Sequence, residues 1–148
     1  KNGSVEELTI DKITAQNIPD TAFESIANFE QTKSKKPLLR LEITNVLLTG
    51  PISKLLAQIL ELPSCQIVDL ALTECRAKSD KMGLIFKALS TNRSVQSLSL
   101  EGTNIPKASL ANLVDLLGSS QSLKMLTLFN SGLSDSAMAT LAAGLKTN

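Results

Sequence analysis

The residue types best suited to acid–base and metal chemistry are scarce in this sequence. None of the 148 residues is histidine, so the commonest general base, the Ser-His and Cys-His arrangements and most catalytic zinc sites are missing. The seven glycines are scattered and do not have the spacing of a phosphate-binding or dinucleotide-binding loop. Adjacent carboxylates such as Glu6 and Glu7 occur, but nothing in the sequence indicates a sheltered pocket that would shift their pKa values. We therefore expect no enzymatic activity, no cofactor and no metal site.

The two cysteines, Cys65 and Cys75, are the next candidates for chemistry. They are ten residues apart across a predicted strand, and at about 3.3 Å per residue they lie too far apart for a disulfide. Unpaired thiols favour a reducing compartment, so we expect a cytoplasmic protein. Cys75 is also conceivable as a metal ligand or reactive thiol, but the position of each cysteine beside a strand favours a buried packing role.

Composition narrows the class of partner. The formal net charge is +1, which argues against nucleic acid or an anionic membrane surface as the partner. No apolar run approaches the roughly 18 residues that a bilayer crossing needs, so we expect no membrane insertion. Basic residues cluster twice, and both clusters fit solvated loops and outer helix surfaces better than anion-binding patches: Lys33, Lys35 and Lys36, and Arg76, Lys78, Lys81 and Lys87.

An internal repeat organises the elements that would position functional side chains. In each unit the residues three, five, ten, eighteen and twenty-two positions after the first are apolar. The third and fifth alternate with polar residues, as in Leu98-Ser99-Leu100, which is typical of a strand with one buried face. The last two belong to one stripe of a helix, as Leu113 and Leu117 do. Five units of about 28 residues, a period typical of solenoids, begin near Val5, Leu38, Ile67, Val95 and Leu123.

Each unit therefore has the order strand, loop, helix, loop. Pro51, Pro106 and the pair Ser134-Asp135 mark helix starts. No unit can bury its apolar edge alone, so neighbouring units must stack with their strands parallel. We predict strands at Glu6–Ile10, Arg40–Ile43, Ile67–Leu72, Ser97–Leu100 and Lys124–Leu128.

This pattern resembles the leucine-rich repeat, whose strand signature is L-x-x-L-x-L-x-x-N/C-x-L. The third unit matches it most fully, with Ile67, Leu70, Leu72, Cys75 and Ala77. Units of this length with a full helix resemble the ribonuclease-inhibitor-like class, which includes Ran GTPase-activating proteins, NOD-like receptors, tropomodulins and CARMIL proteins. The resemblance implies an α/β leucine-rich-repeat solenoid of about five units, with a parallel sheet on the concave side and helices on the convex side. It covers residues 1–148 as one domain, which we interpret as a segment of a longer chain, with a CARMIL-like or tropomodulin-like parent as the first guess.

Two departures from the family pattern modify this expectation. The first unit, from Val5 to Leu38, is longer than the others, and the excess is expected between Glu30 and Lys36. An incomplete side-chain ladder predicts irregular loops after the strands, above all in the first two units. The ninth position, usually Asn or Cys, holds Ile13, Val46, Cys75, Thr103 and Ser131.

The strand face on the concave side is the best candidate for binding a partner. Five acids and one arginine give this face a net charge of −4, and Met125 and Phe129 make its far end apolar. These two are plausible anchors for a partner, or are covered by the next part of the chain. The candidate partner-binding residues are Glu7, Asp11, Arg40, Glu42, Asp69, Thr73, Glu101, Met125 and Phe129.

The resemblance and the lack of catalytic residues favour a non-catalytic protein–protein interaction module. One alternative is a regulator of a small GTPase or another enzyme, with Arg76 or Arg93 as candidate residues. Others are the scaffold region of an actin regulator and a spacer between domains. No polar capping segment follows the last predicted helix, which contains Leu141 and Leu145, so we expect the native protein to continue with further repeats or a cap. The isolated chain is expected to self-associate through the open edge of its last strand.

Overall fold

A parallel sheet and a set of helices make up the part of the chain that the computed structural model describes, residues 7–11, 38–78 and 80–145. The fold class is therefore α/β. The strands are β1 (Glu7–Asp11), β2 (Arg40–Thr44), β3 (Leu47–Leu48), β4 (Asp69–Thr73), β5 (Arg76–Ala77), β6 (Ser97–Ser99) and β7 (Met125–Thr127). The helices are α1 (Gly50–Glu61), α2 (Lys81–Thr91), α3 (Leu110–Ser119) and α4 (Asp135–Leu145), with a 3₁₀ turn at Lys107–Ser109.

The main sheet has five strands in the order β1-β2-β4-β6-β7, and every neighbouring pair is parallel. The predicted parallel pairing is confirmed. Equivalent positions of successive units pair with one another. The residues two positions after the start of each unit are in register: Arg40, Asp69, Ser97 and Met125. The short strands β3 and β5 form a separate parallel pair.

One face of the main sheet forms the core together with the helices. Along β2 and β4 every second side chain is buried, and the residues between them stay half-buried or exposed. Each helix contacts the next one along the chain. Leu98 from β6 and Leu113 from α3 are both fully buried in the same apolar cluster. Burial of such a leucine contributes about 1.5–3 kcal/mol to folding, so the alternating leucines account for much of the stability.

The helix boundaries follow local signals in the sequence. Proline stands in the first turn of α1, as predicted, because its missing N–H is not needed there. Pro106 instead precedes the 3₁₀ turn, and α3 begins only at Leu110. Ser134 caps α4, since its Oγ accepts a hydrogen bond from the N–H of Ala137 at 3.3 Å. None of the helices in the described part of the chain has the length and hydropathy that a bilayer crossing requires.

The loops after the strands are regular, so the prediction of irregular loops is wrong for the units that the structure describes. Each contains a residue in the left-handed region at an equivalent position, and the last loop contains a second one, Gly132 (φ 69°): the equivalent residues are Asn45 (φ 55°), Glu74 (φ 52°), Gly102 (φ 64°) and Asn130 (φ 52°). The N–H groups of the first three donate to the next unit, at Thr73 O (2.8 Å), Glu101 O (2.8 Å) and Phe129 O (2.9 Å). These backbone hydrogen bonds satisfy part of the polar groups of the loops without an asparagine ladder.

Ninth-position side chains complete these loops where they are polar. Thr103 is fully buried, and its hydroxyl bonds two backbone groups of the preceding unit. Ser131 Oγ donates to Leu128 O at 2.8 Å. The side chain of Val46 has no polar group and is part of the apolar core. Ile13, the helix expected in the first unit and the insertion expected at Glu30–Lys36 lie outside the described residues.

Candidate protein-binding face

The sheet face opposite the helices is built from rows of side chains that the strand register sets. The first row contains Glu7, Arg40, Asp69, Ser97 and Met125, which pair in turn across the five strands. Adjacent members of such a row are about 4.8 Å apart. Arg40 is exposed, and its position lies between those of Glu7 and Asp69. Met125 ends the row with 61 % of its surface exposed.

The second row contains Glu42, which is paired with Arg40 of the first row, and small residues beyond it. Arg40 Nη2 donates to Glu42 Oε2 at 3.3 Å, and both side chains remain partly exposed. An ion pair of this kind adds little to stability, about 0–1 kcal/mol, but it holds two charges on the face. Ala71, Ser99 and Thr127 follow Glu42 in register and are half-buried.

The third row continues beyond the strand ends. Asp11, Thr44 and Thr73 pair in register. Glu101 and Phe129 belong to the turns of the next two units, and both are exposed. Phe129 has 71 % of its surface exposed, more than any other large apolar residue among those described.

The structure thus places all nine predicted residues along the face, although the side chains of Glu7 and Asp11 lie outside the described part. It brings Arg40 and Glu42 together and puts Asp69 beside Arg40 in register. Met125 lies on β7, whereas Phe129 lies in the turn that follows this strand, four positions further along the chain. They are therefore two separate apolar points, with Thr127 between them.

A shallow cavity of about 600 Å³ adjoins the third row at the carboxyl ends of the strands. Its lining combines the carboxylates of Glu74 and Glu101 with the exposed guanidinium of Arg76 and the ring of Phe129. Arg93 lies in the turn before β6, at the opposite ends of the strands. The two arginines considered for an enzyme-regulating role are therefore not brought together.

The basic cluster from Arg76 to Lys87 is spread over several elements. Arg76 belongs to β5, Lys78 follows it, and Lys87 is exposed on α2. Lys81 Nζ lies 3.3 Å from Asp80 Oδ1. This dispersal supports the interpretation of these side chains as a solvated surface.

Both cysteines are buried and free. Desolvation by burial raises the pKa of the Cys75 thiol from its ordinary value of 9.0 to about 11, and a backbone hydrogen bond at Val46 opposes that rise. The neutral thiol donates from Sγ to Ile43 O at 3.3 Å. Within the described ranges no three His, Cys, Asp or Glu residues are grouped as metal ligands. These contacts favour the packing role for Cys75, because a reactive thiol needs exposure and a lowered pKa.

Sequence reasoning missed two features. The first is Asn92, whose buried amide donates to Leu60 O at 2.7 Å and accepts from Val95 N–H at 2.7 Å. An apolar groove of about 340 Å³ also runs between β7 and α4, with Met138 and Leu145 contributing from the helix. The contribution of α4 to this groove was not expected from the sequence.

The sequence matches no protein-family model, and the comparison with curated proteins finds no similar chain.

Proposed function

We propose that this protein is a leucine-rich-repeat protein of the ribonuclease-inhibitor-like class that binds another protein through its concave strand face. The repeat proposal is supported by the register of the strands, which pairs equivalent positions of successive units. A left-handed turn recurs at the equivalent position after each of these strands. The two buried free cysteines support a reducing, cytoplasmic location.

The observation that carries the binding proposal is the face itself. Its side chains are partly exposed in ordered rows on hydrogen-bonded strands, so little conformational entropy is lost when a partner orders them. Acidic residues of the first strands occupy one end, whereas Met125 and Phe129 occupy the other. A partner surface with basic side chains at one end and apolar side chains at the other would complement it.

The proposal can be tested by placing a photo-crosslinking residue at Ala71, in the middle of the face. The matched position is Lys87, which is exposed on α2. We expect Ala71 to capture a defined partner from cells and Lys87 not to capture it. The same bands from both positions, or capture only from Lys87, would contradict the proposal.

Binding of the captured partner should then be measured with purified proteins by calorimetry. Asp69→Lys and Phe129→Lys should each weaken binding roughly tenfold or more, because truncating or reversing an anchor typically costs more than about 1 kcal/mol. Leu84→Lys, on the exposed surface of α2, is the matched control and should bind like the wild type. If only the control Leu84→Lys lost binding, the binding site would lie on the helices and not on the strand face.

A regulator of a GTPase is a second candidate, and only the exposure of Arg76 beside the cavity favours it. An arginine supplied in trans can stabilise the transition state of phosphoryl transfer. GTP hydrolysis by candidate small GTPases should then rise with the wild type and not with Arg76→Ala, while Arg93→Ala stays active. An equal rate with and without the protein would remove this candidate.

A further inference from the structure

The cavity of about 600 Å³ at the carboxyl ends of the strands lies among turns that are hydrogen-bonded to one another. Glu74 N–H donates to Glu101 O at 2.8 Å, and Gly102 N–H donates to Phe129 O at 2.9 Å. These bonds hold the turns after β4, β6 and β7 side by side, at about the 4.8 Å that separates neighbouring strands. The backbone therefore fixes the points from which the side chains of this cavity extend.

Three charged side chains line the cavity and lack a partner. Glu74, Glu101 and Arg76 are exposed, and in the described part of the chain none of their charged groups forms an ion pair or a hydrogen bond. Elsewhere on the same side of the sheet, Arg40 is paired with Glu42 at 3.3 Å. The two carboxylates and the guanidinium at the cavity are thus available to the charged groups of a ligand.

The side chain of Glu74 extends over the next turn. A Cβ added to Gly102 would lie 3.1 Å from Glu74 Cγ, so this side chain packs against the bare backbone of the glycine. Glu101 precedes Gly102 in the same turn. The two carboxylates therefore lie close to one turn and give this part of the cavity a negative potential.

An aromatic ring lies beside this negative region. Phe129 is the neighbour of Glu101 on the adjacent turn, and 71 % of its surface is exposed. The face of a ring attracts cations, and the planar guanidinium of an arginine can stack on the ring while it donates to carboxylates. A lysine ammonium has no plane with which to stack, so this combination of side chains favours arginine.

Arg76 lies on the opposite side of the cavity. It belongs to β5 of the third unit, whereas Phe129 follows β7 of the fifth, so two strand spacings, about 10 Å, separate their positions. A cation bound at Phe129 is therefore kept apart from Arg76, whose own guanidinium attracts an anion. The cavity suits a ligand with a guanidinium at one end and a carboxylate at the other.

We propose that this cavity binds an arginine of the partner protein together with a carboxylate adjacent to that arginine. The ligand's guanidinium stacks on Phe129 and donates to the carboxylates of Glu74 and Glu101, and its carboxylate pairs with Arg76. This inference rests on the proposed function, because Glu101 and Phe129 belong to the concave strand face. It adds the chemistry by which the partner is recognised.

Three small probes test the site by nuclear magnetic resonance titration of the isotope-labelled protein. N-acetylarginine contains both charged groups, N-acetylarginine amide lacks the carboxylate, and N-acetylcitrulline lacks the guanidinium charge. We expect N-acetylarginine to give saturable shifts of the amide signals of Glu74, Glu101, Gly102 and Phe129. The amide should bind roughly threefold or more weakly, and N-acetylcitrulline should not saturate. The absence of saturable shifts, or equal binding of all three probes, would overturn the proposal.

The carboxylate has two possible sources in a protein, the chain terminus and an acidic side chain. The dipeptide acetyl-Arg-Asp-amide has only a side-chain carboxylate, so its affinity relative to that of N-acetylarginine distinguishes the two sources. Both probes share the chemistry proposed here, and both should bind more tightly than N-acetylarginine amide. If neither did, Arg76 would have no role in the site.

Variants assign the contacts of N-acetylarginine to individual side chains. Glu101→Gln and Phe129→Leu should each weaken binding roughly threefold or more, since each removes one attraction for the guanidinium. Glu61→Gln, at the exposed end of α1, is the matched control and should bind like the wild type. Arg76→Gln should bind N-acetylarginine and its amide equally. A preference for N-acetylarginine that persists in Arg76→Gln, or equal losses in Glu61→Gln and Glu101→Gln, would contradict the assignment.

Failure of this inference can be distinguished from failure of the proposed function. If a partner crosslinks at Ala71 but N-acetylarginine does not bind, the arginine site is wrong and the proposed function stands. If N-acetylarginine binds as expected but Ala71 and Lys87 capture the same bands, the cavity is an arginine site and the proposed function is wrong.

Discussion

The hydroxyl oxygen of Thr103 accepts a hydrogen bond from the N–H of Cys75 at 2.9 Å and donates one to Leu72 O at 2.6 Å. Thr103 is fully buried. One side chain therefore satisfies two backbone groups of the preceding unit.

Replacing Thr103 by valine should destabilise the protein by roughly 3 kcal/mol. The two backbone groups would be left buried and unpaired, at about 1–3 kcal/mol each. Urea unfolding followed by circular dichroism measures this. Thr73→Val is the control, because Thr73 is half-buried on the exposed face and needs no such bond. Equal losses in the two variants would show that the Thr103 hydroxyl has no special role.

The raised pKa of Cys75 makes stability depend on pH in the alkaline range. Since the folded pKa is about 11 and the ordinary value is 9.0, the native state holds the proton more tightly. This stabilisation is fully present below pH 9 and is lost as the pH rises towards 11, by up to about 3 kcal/mol. The difference in unfolding free energy between the wild type and Cys75→Ala should shrink by that amount between pH 8 and about 11. A constant difference would contradict it.

Truncation of Leu98 or Leu113 to alanine should each cost roughly 2–5 kcal/mol. Both leucines are fully buried in the same core. The control Leu84→Ala changes a side chain that is 41 % exposed and should stay within about 0.5 kcal/mol of the wild type. Hydrogen exchange of the Leu98→Ala variant should also increase in β4 and β7, because units couple to their neighbours. If Leu98→Ala melted like the wild type, Leu98 would not be part of the core.

Gly102→Ala should destabilise the turn by roughly 1–3 kcal/mol. Gly102 has a φ of +64°, and an added Cβ would lie 3.1 Å from Glu74 Cγ. In a Glu74→Ala background the steric part of this cost should fall, leaving the backbone part. Gly50→Ala meets only ordinary contacts with Lys81 at 3.8 Å, so thermal melting should separate the two glycines. A Gly102→Ala variant as stable as Gly50→Ala would rule out the strained turn.

The strand positions and the buried core residues were predictable from the sequence, because the leucines that recur at equivalent positions of the units indicate which face of each strand is buried. Leu98 and Leu100 alternate with polar residues, and both are buried in the structure. The helix that follows Pro106 was less predictable. Proline permits several starts, and here a 3₁₀ turn precedes the α-helix.

The turns were not predictable from the ninth position, which was the only loop signal considered. Asn45, Gly102 and Asn130 are residue types that favour the left-handed region, so their common spacing is a usable signal. Glu74 has no such preference, and the hydrogen bond from its N–H to Glu101 O holds it there. The exposed face was predictable by position, but the end of β7 at Thr127, which places Phe129 in a turn, was not.

Each strand of the main sheet pairs only with the strand of the unit before it and the strand of the unit after it. This order also determines how the molecule responds to force. Tension applied between Glu7 and Leu145 runs along the inter-strand hydrogen bonds and loads one interface at a time, as in peeling. Each released unit lengthens the chain by about 90 Å, the reach of its extended backbone. With the proposed repeat architecture, the protein should therefore extend under low force in successive steps that begin at its ends.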